Sequence, residues 1–223
     1  AALNATSDIP VVFTSVTDPV DAGLVESFEN PGGNATGTSD MFPDSIEKTV
    51  EFIANEYGAK KIGTIYNTGE QNSINQINQV KAAIEKFGLD PLEESAVATT
   101  ADVKTAAESL VGKVDVFYII TDNTVVSALD AVIQVAEENK IPLFVGETDS
   151  VEAGAFAAFG IDYEQIGYEA GKMAVQILTE GKSPSEIAVQ PPSEAVLRIN
   201  KAAAEKMGVE LKEEWNDIAE FIE

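Results

Sequence analysis

Four times this chain ends a short apolar run in a cluster of small polar residues. The runs are Val11-Val12-Phe13, Ile62 to Tyr66, Val116 to Ile120 and Leu143-Phe144-Val145. They close in Thr14-Ser15-Val16-Thr17-Asp18, Asn67-Thr68-Gly69-Glu70, Thr121-Asp122-Asn123-Thr124 and Glu147-Thr148-Asp149-Ser150. A strand apolar on both faces meets water on neither, so near-continuous apolar strands followed by helical patterns require a parallel sheet covered on both sides. Open sheets of this kind bind ligands beyond the carboxyl ends of their strands. The hydroxyls, carboxylates and amides stand at those ends, so the pattern points to small-molecule recognition.

The remaining elements follow from periodicity. Ala1 to Ala5 reads as the end of a helix, Asp18-Pro19 as the start of one over Ala22 to Phe28, and Ala35 to Ser39 as a short strand. Helices are predicted over Ser45 to Tyr57, Gln71 to Phe87 with Ile74, Ile77, Val80 and Ile84 inward, Val103 to Leu110, Val125 to Glu138, Tyr163 to Glu180 and Lys201 to Met207. Further strands are predicted at Ser95 to Val97, Ala155 to Ile161 and Ala195 to Ile199, and Trp215, Ile218 and Ile222 share one helical face in the tail. The class is α/β.

Composition removes whole classes of function. The 223 residues hold 14 Lys+Arg against 38 Asp+Glu, a net charge of -24 that repels nucleic acid and anionic membrane surfaces. There is no cysteine and no histidine, so thiolate nucleophiles, sulfur-ligated metals and the usual general base are missing. Neither a G-x-S-x-G elbow nor an S-x-x-K motif occurs, and Gly32-Gly33 follows a predicted helix without the lysine of a phosphate loop. No cofactor or metal is expected.

Asp, Asn, Ser and Thr before a helix are favoured as caps whether or not a ligand binds. Capping is the stronger reading for Asp18 and Asp149. Thr14 and Ser15 stand too early to cap, while Asn67, Glu70, Asn72 and Ser73, like Thr121, Asp122 and Asn123, exceed what one cap needs. Glu147, Thr148 and Asp162 complete the candidates, and Tyr66 and Tyr163 could stack on an aromatic solute. Tyr118 and Phe159, inside apolar runs, are better read as core. The chain's one arginine, Arg198, lies at the end of a predicted strand near the carboxyl terminus, so a bidentate arginine clamp on a ligand carboxylate is not expected, and were an amino acid to bind, hydroxyls and backbone amides would hold its carboxylate and an Asp or Glu its ammonium.

Ile9 to Val20, Ala22-Gly23-Leu24-Val25 and Asn30-Pro31-Gly32-Gly33-Asn34-Ala35-Thr36-Gly37 together resemble the ABC-transporter substrate-binding proteins of the family that includes tryptophan- and tyrosine-binding lipoproteins. The resemblance continues through Tyr66 to Glu70, Thr121 to Val126, Thr148-Asp149-Ser150 with Gly154-Ala155, and Gly160 to Tyr163 with Gly167. It implies a type I periplasmic-binding-protein fold, two doubly wound parallel-sheet lobes with solute between them. Lobe one would comprise residues 1–38 and 159–190, and lobe two 39–158 and 191–223. It also implies a non-enzymatic receptor, extracellular or periplasmic and held by a lipidated N-terminus, that hands a solute, an amino acid first and aromatic ones included, to permease subunits. The alternatives are the sensing core of a transcriptional regulator, or an enzyme using Asp122 and Asp149 as acid and base. The family begins with further units of lobe one, so strand exchange with a second copy is a further expectation.

Overall fold

Strands and helices alternate along the chain in the computed structural model, which describes residues 2–42, 44–161, 163–192 and 195–223. In order they are α1 (Ala2–Ala5), β1 (Val11–Phe13), β2 (Ala35–Gly37), α2 (Ser45–Glu51) continued by a π-helical turn at Phe52–Tyr57, β3 (Ile62–Asn67), α3 (Gln71–Phe87), β4 (Glu93–Val97) and α4 (Val103–Leu110). There follow β5 (Val116–Ile119), α5 (Asn123–Val126), α6 (Leu129–Asn139), β6 (Leu143–Val145), α7 (Thr148–Glu152), β7 (Ala157–Gly160), α8 (Tyr163–Glu180), β8 (Val196–Asn200), α9 (Lys201–Met207) and β9 (Ala219–Ile222). They fall into two compact units, Ala1–Pro43 with Ile161–Ala195 and Asp44–Gly160 with Val196–Glu223, so the chain passes between units three times.

The larger unit is a seven-stranded sheet in the order β4-β3-β5-β6-β7-β8-β9, parallel except where β7 meets β8. Every residue of β5 and β6 is buried, as strands covered on both faces must be. The chain moves outward from β3 to β4 and then back past β3 to β5, so right-handed crossovers place α3 and α4 on opposite faces. Accordingly α2 packs with α3, and α4 with α6 and α9 in a separate row. Phe52, Phe144, Phe156 and Trp215 meet ring to ring beneath the sheet, with centroids 5.2 Å apart in both the Phe52–Trp215 and Phe144–Phe156 pairs. Burying each large apolar side chain contributes about 1.5–3 kcal/mol.

The smaller unit pairs β1 with β2 in parallel, Val11 opposite Ala35 and Phe13 opposite Gly37. A single bridge from Thr38 to Gln190 extends the pairing. Helix α8 packs on both strands through a face that buries Ile166, Ala170 and Met173.

Several sequence expectations are corrected here. Ala22 to Phe28 is a succession of turns, not a helix. Leu24 and Val25 both donate to the Pro19 carbonyl, Gly23 takes a left-handed φ of 67°, and Glu26 turns to bond Pro31. The helix expected over Val125 to Glu138 breaks into α5 and α6 at Ala128, whose φ of -126° and ψ of 25° leave the helix, next to Ser127, whose hydroxyl and amide both bond the Asn123 carbonyl. In the tail only Trp215 is buried as an anchor. The residues after it form β9, drawn into register by the unpaired edge of β8, and Ile218 is left 51% exposed. Ile74 is 39% exposed, since the inward positions on the first turns of α3 are taken by buried Ser73 and Gln76. The strand expected over Ala155 to Ile161 is β7 of the large sheet, shortened to Ala157–Gly160.

Gly37 has no room for a side chain, because a Cβ there would stand 2.0 Å from the Phe13 carbonyl oxygen and 2.6 Å from its ring. Gly37→Ala must therefore separate β1 from β2, at a cost of about 3 kcal/mol, the upper end of overpacking effects. Hydrogen exchange should show protection lost around residues 11–13 and 35–38 and kept in the large sheet. Unchanged protection of the pair would contradict the packing described.

Candidate functional site

The reversal of chain direction between β3 and β5 opens the large sheet at its carboxyl edge, the position where doubly wound folds take ligands. Two loops meet there, Asn67 to Glu70 after β3 and Thr121 to Thr124 after β5. They bind each other closely. Asp122, fully buried, accepts from the Asn67 amide at 2.7 Å and the Ser73 hydroxyl at 2.6 Å through Oδ2, and from the Val125 amide at 2.8 Å through Oδ1. Glu70 takes both amides and both side chains of Asn123 and Thr124, at 2.6 to 3.1 Å. Each carboxylate thus caps α5, one from inside its own loop and one from across the gap.

The other candidates of this edge share the lattice. Asn67 donates to the Thr124 hydroxyl and accepts from the Gly69 amide, and Asn72 donates to the Thr121 carbonyl. Thr121 bonds Gln76 twice, through its amide and its hydroxyl. Burial pushes the Glu70 carboxyl up, but the Thr124 and Asn123 donors outweigh it and the net shift is downward.

After β6 the buried Glu147 caps α7, accepting from the Ser150 amide at 2.9 Å and from its hydroxyl. The sequence reading gave the cap to Asp149, which instead lies inside the helix with Thr148. Burial raises the Glu147 carboxyl above its usual range despite the Ser150 donors. The loop lies hard against the end of β7: a Cβ on Gly160 would be 2.8 Å from the Thr148 amide. Tyr66 reaches sideways to Glu94 at 2.8 Å. Tyr118 is core, its hydroxyl beside Thr49 and pushed far up by burial, and Phe159 packs on Phe52 with centroids 6.1 Å apart.

In the smaller unit the hydroxyls gather after β1 and β2. Thr14 bonds Ser15 at 3.2 Å and accepts from Thr38 at 3.4 Å, and Ser15 holds a left-handed φ of 56°. Asp18 accepts from the amides of Val20 and Asp21 as the cap of its turn. Thr17, Asp18, Phe28, Ser39, Met41 and Val189 are among the residues lining a cavity of about 450 Å³. Asp162 lies outside the described residues. Asp40, after β2, was missed: the sequence reading ended the strand at Ser39 and did not apply to β2 the strand-end rule that singled out Thr14 and Ser15. Gln76 and Thr124 were missed because helical position alone does not show which polar residue faces a neighbouring loop. Among the described residues no group of three or more acids that could hold a metal ion occurs.

Residues 1–220 match the family of ABC transporter substrate binding proteins. A tyrosine-binding protein of Clostridioides difficile is 48% identical over 90% of this chain and 57% of its own length. The chain spans little more than half the length of the curated relatives it matches. Among solved structures, a conserved domain protein from Vibrio cholerae is 40% identical with a TM-score of 0.92, covering 100% of this chain and 74% of its own. An ABC domain from Streptococcus pneumoniae in complex with L-Trp is 34% identical with a TM-score of 0.90, covering 99% and 74%.

The bonding at the β3–β5 edge sets an order of effects. Asp122→Asn turns a donor toward donors in a fully buried position and should cost about 2–4 kcal/mol, while Glu70→Gln, half-buried and keeping one acceptor oxygen, should cost about 1 kcal/mol. Because the folded Glu70 carboxyl lies below its unfolded value, its stabilisation is complete above the unfolded value and fades as pH falls through the folded one. Urea unfolding of Glu70→Gln should therefore converge on the parent in acid and diverge toward neutrality. Equal costs for the two substitutions, or a pH-independent difference, would contradict this account.

Proposed function

The chain belongs to the ABC transporter substrate binding protein family, and on that premise we propose that it binds an aromatic amino acid and delivers it to the permease of an importer. The observation that carries the reading is the tyrosine-binding relative, 48% identical over nine-tenths of the chain, seconded by the L-Trp complex. The chemistry agrees. An amino acid is a zwitterion, and the strand ends offer hydroxyls, amides and acids without a histidine, a cysteine or a metal cluster among the described residues. Such a set can bind and orient a polar headgroup but holds no activated nucleophile. The solute is released as it was bound.

The receptor works outside the cytoplasmic membrane, where an importer collects its solute, and is tethered through a lipidated N-terminus. No helix of the described residues is long and apolar enough to cross a membrane. Arg198 has a structural role in this reading, since its guanidinium bonds Glu152 of α7 at 3.0 Å and Glu220 of β9 at 3.3 Å.

Calorimetry on the full-length protein should give saturable binding of L-tyrosine or L-tryptophan, with L-leucine and L-aspartate at least about tenfold weaker, an energy difference of about 1.4 kcal/mol. Solute recovered from the complex should be chemically unchanged. Arg198→Ala should alter the affinity less than about threefold, because no charged hydrogen bond to solute is removed. Binding of neither aromatic amino acid, or turnover of one, would overturn the proposal.

A further inference from the structure

The cavity of about 450 Å³ in the smaller unit has a chemistry of its own. It lies where residues 187–190 run between β2 and the bend at Phe28: the Gln190 amide bonds the Gly37 carbonyl at 3.1 Å, and the Val189 amide bonds the Phe28 carbonyl at 2.8 Å. Phe28, Met41, Ala188, Val189 and Pro191 give it apolar walls. A concave space of this size, mostly apolar with a few polar groups, is what a small organic molecule needs.

The polar lining divides into groups already bonded and groups with acceptor capacity to spare. The Ser39 hydroxyl donates to the Thr17 carbonyl at 3.0 Å and accepts from the Met41 amide, and the Thr17 hydroxyl is engaged by Asp40. Asp18 spends one oxygen, Oδ1, on the amides of Val20 and Asp21, and these bonds leave Oδ2 uncommitted. The carboxylate of Glu29, an exposed residue, enters no hydrogen bond or ion pair among the described residues. No basic side chain lines the cavity. The place therefore offers two carboxylates and an aromatic face but no cation, and it fits a ligand that brings one.

We propose that this cavity is a binding site, separate from that of the amino-acid solute, for a small organic ammonium ion with an apolar body, an arylalkylamine fitting best. The body lies against Phe28 and Met41, where ring–ring and sulfur–ring contacts are available. The ammonium stays at the rim between Asp18 and Glu29, partly hydrated. A metal ion would leave the apolar walls unused. An amino acid's own carboxylate would face two acids with no cation beside it, so the cavity favours the amine over the zwitterion, and the inference goes beyond the solute reading above. The net charge of -24 concentrates such cations around the chain.

The test is calorimetry on the full-length protein held in saturating L-tryptophan, titrated with tryptamine and, separately, with indolepropionate, which carries the opposite charge on the same ring. Tryptamine should bind at one equivalent and at least about tenfold more tightly than indolepropionate. Ala188→Trp, a large ring added at an exposed position of the wall, should weaken tryptamine at least about tenfold. Glu29→Gln combined with Asp18→Asn, which keeps the acceptor that the turn uses, should weaken tryptamine about fivefold and leave indolepropionate no weaker. No saturable tryptamine binding below about 10 mM overturns the proposal, as does equal affinity for the two ligands. Displacement of tryptamine by L-tryptophan, or unchanged tryptamine affinity in Ala188→Trp, overturns it too. A protein that binds no L-tryptophan fails the solute reading alone, and the tryptamine titration is then read in the same way.

Discussion

One buried carboxylate holds the working edge of the large sheet together. Where β3 and β5 send their helices to opposite faces, two loops leave the sheet with backbone amides that no neighbouring strand can satisfy. Asp122 satisfies amides from both loops and a hydroxyl from α3. A neutral side chain has too few lone pairs for this, and a buried charge is tolerated only because three donors surround it. Glu70 repeats the device from across the gap. The two loops are therefore tied to each other and to α3 by these two carboxylates.

The smaller unit is built differently. Its strands are short, its packing relies on one face of α8, and its polar groups are mostly hydroxyls with weaker claims on one another, at 3.2 to 3.4 Å. Asp40 accepts from the Tyr163 hydroxyl through Oδ2, and its Oδ1 has no hydrogen-bond partner among the described residues. In the large unit the strand-end acids are spent on the fold.

The large unit was legible in the sequence because its signals are local: apolar runs of strand length, helices of period 3.6, and glycines such as Gly88 that end them. Errors arose where a distant partner decides. The tail is a strand because β8 presents an open edge, and no periodicity in Trp215 to Ile222 announces that edge. The break between α5 and α6 falls at Ala128, a good helix former, where the backbone alone leaves the helix and residue type gives no sign of it. At the site, residue type identified the strand ends but not the division of labour within them. Glu70 looks free in sequence because its partners lie more than fifty residues away, while Asp40 looks ordinary because burial, not composition, sets it apart.

Charge narrows the solute further on the reading proposed. A chain with net charge -24 surrounds itself with a negative potential that raises the local concentration of cations and lowers that of anions. An acidic amino acid would approach against this field, and the single arginine is already held by Glu152 and Glu220. A zwitterion with an uncharged side chain crosses the field without net cost. Its carboxylate can be met by neutral hydroxyls and amides, which bind an anion without carrying charge themselves.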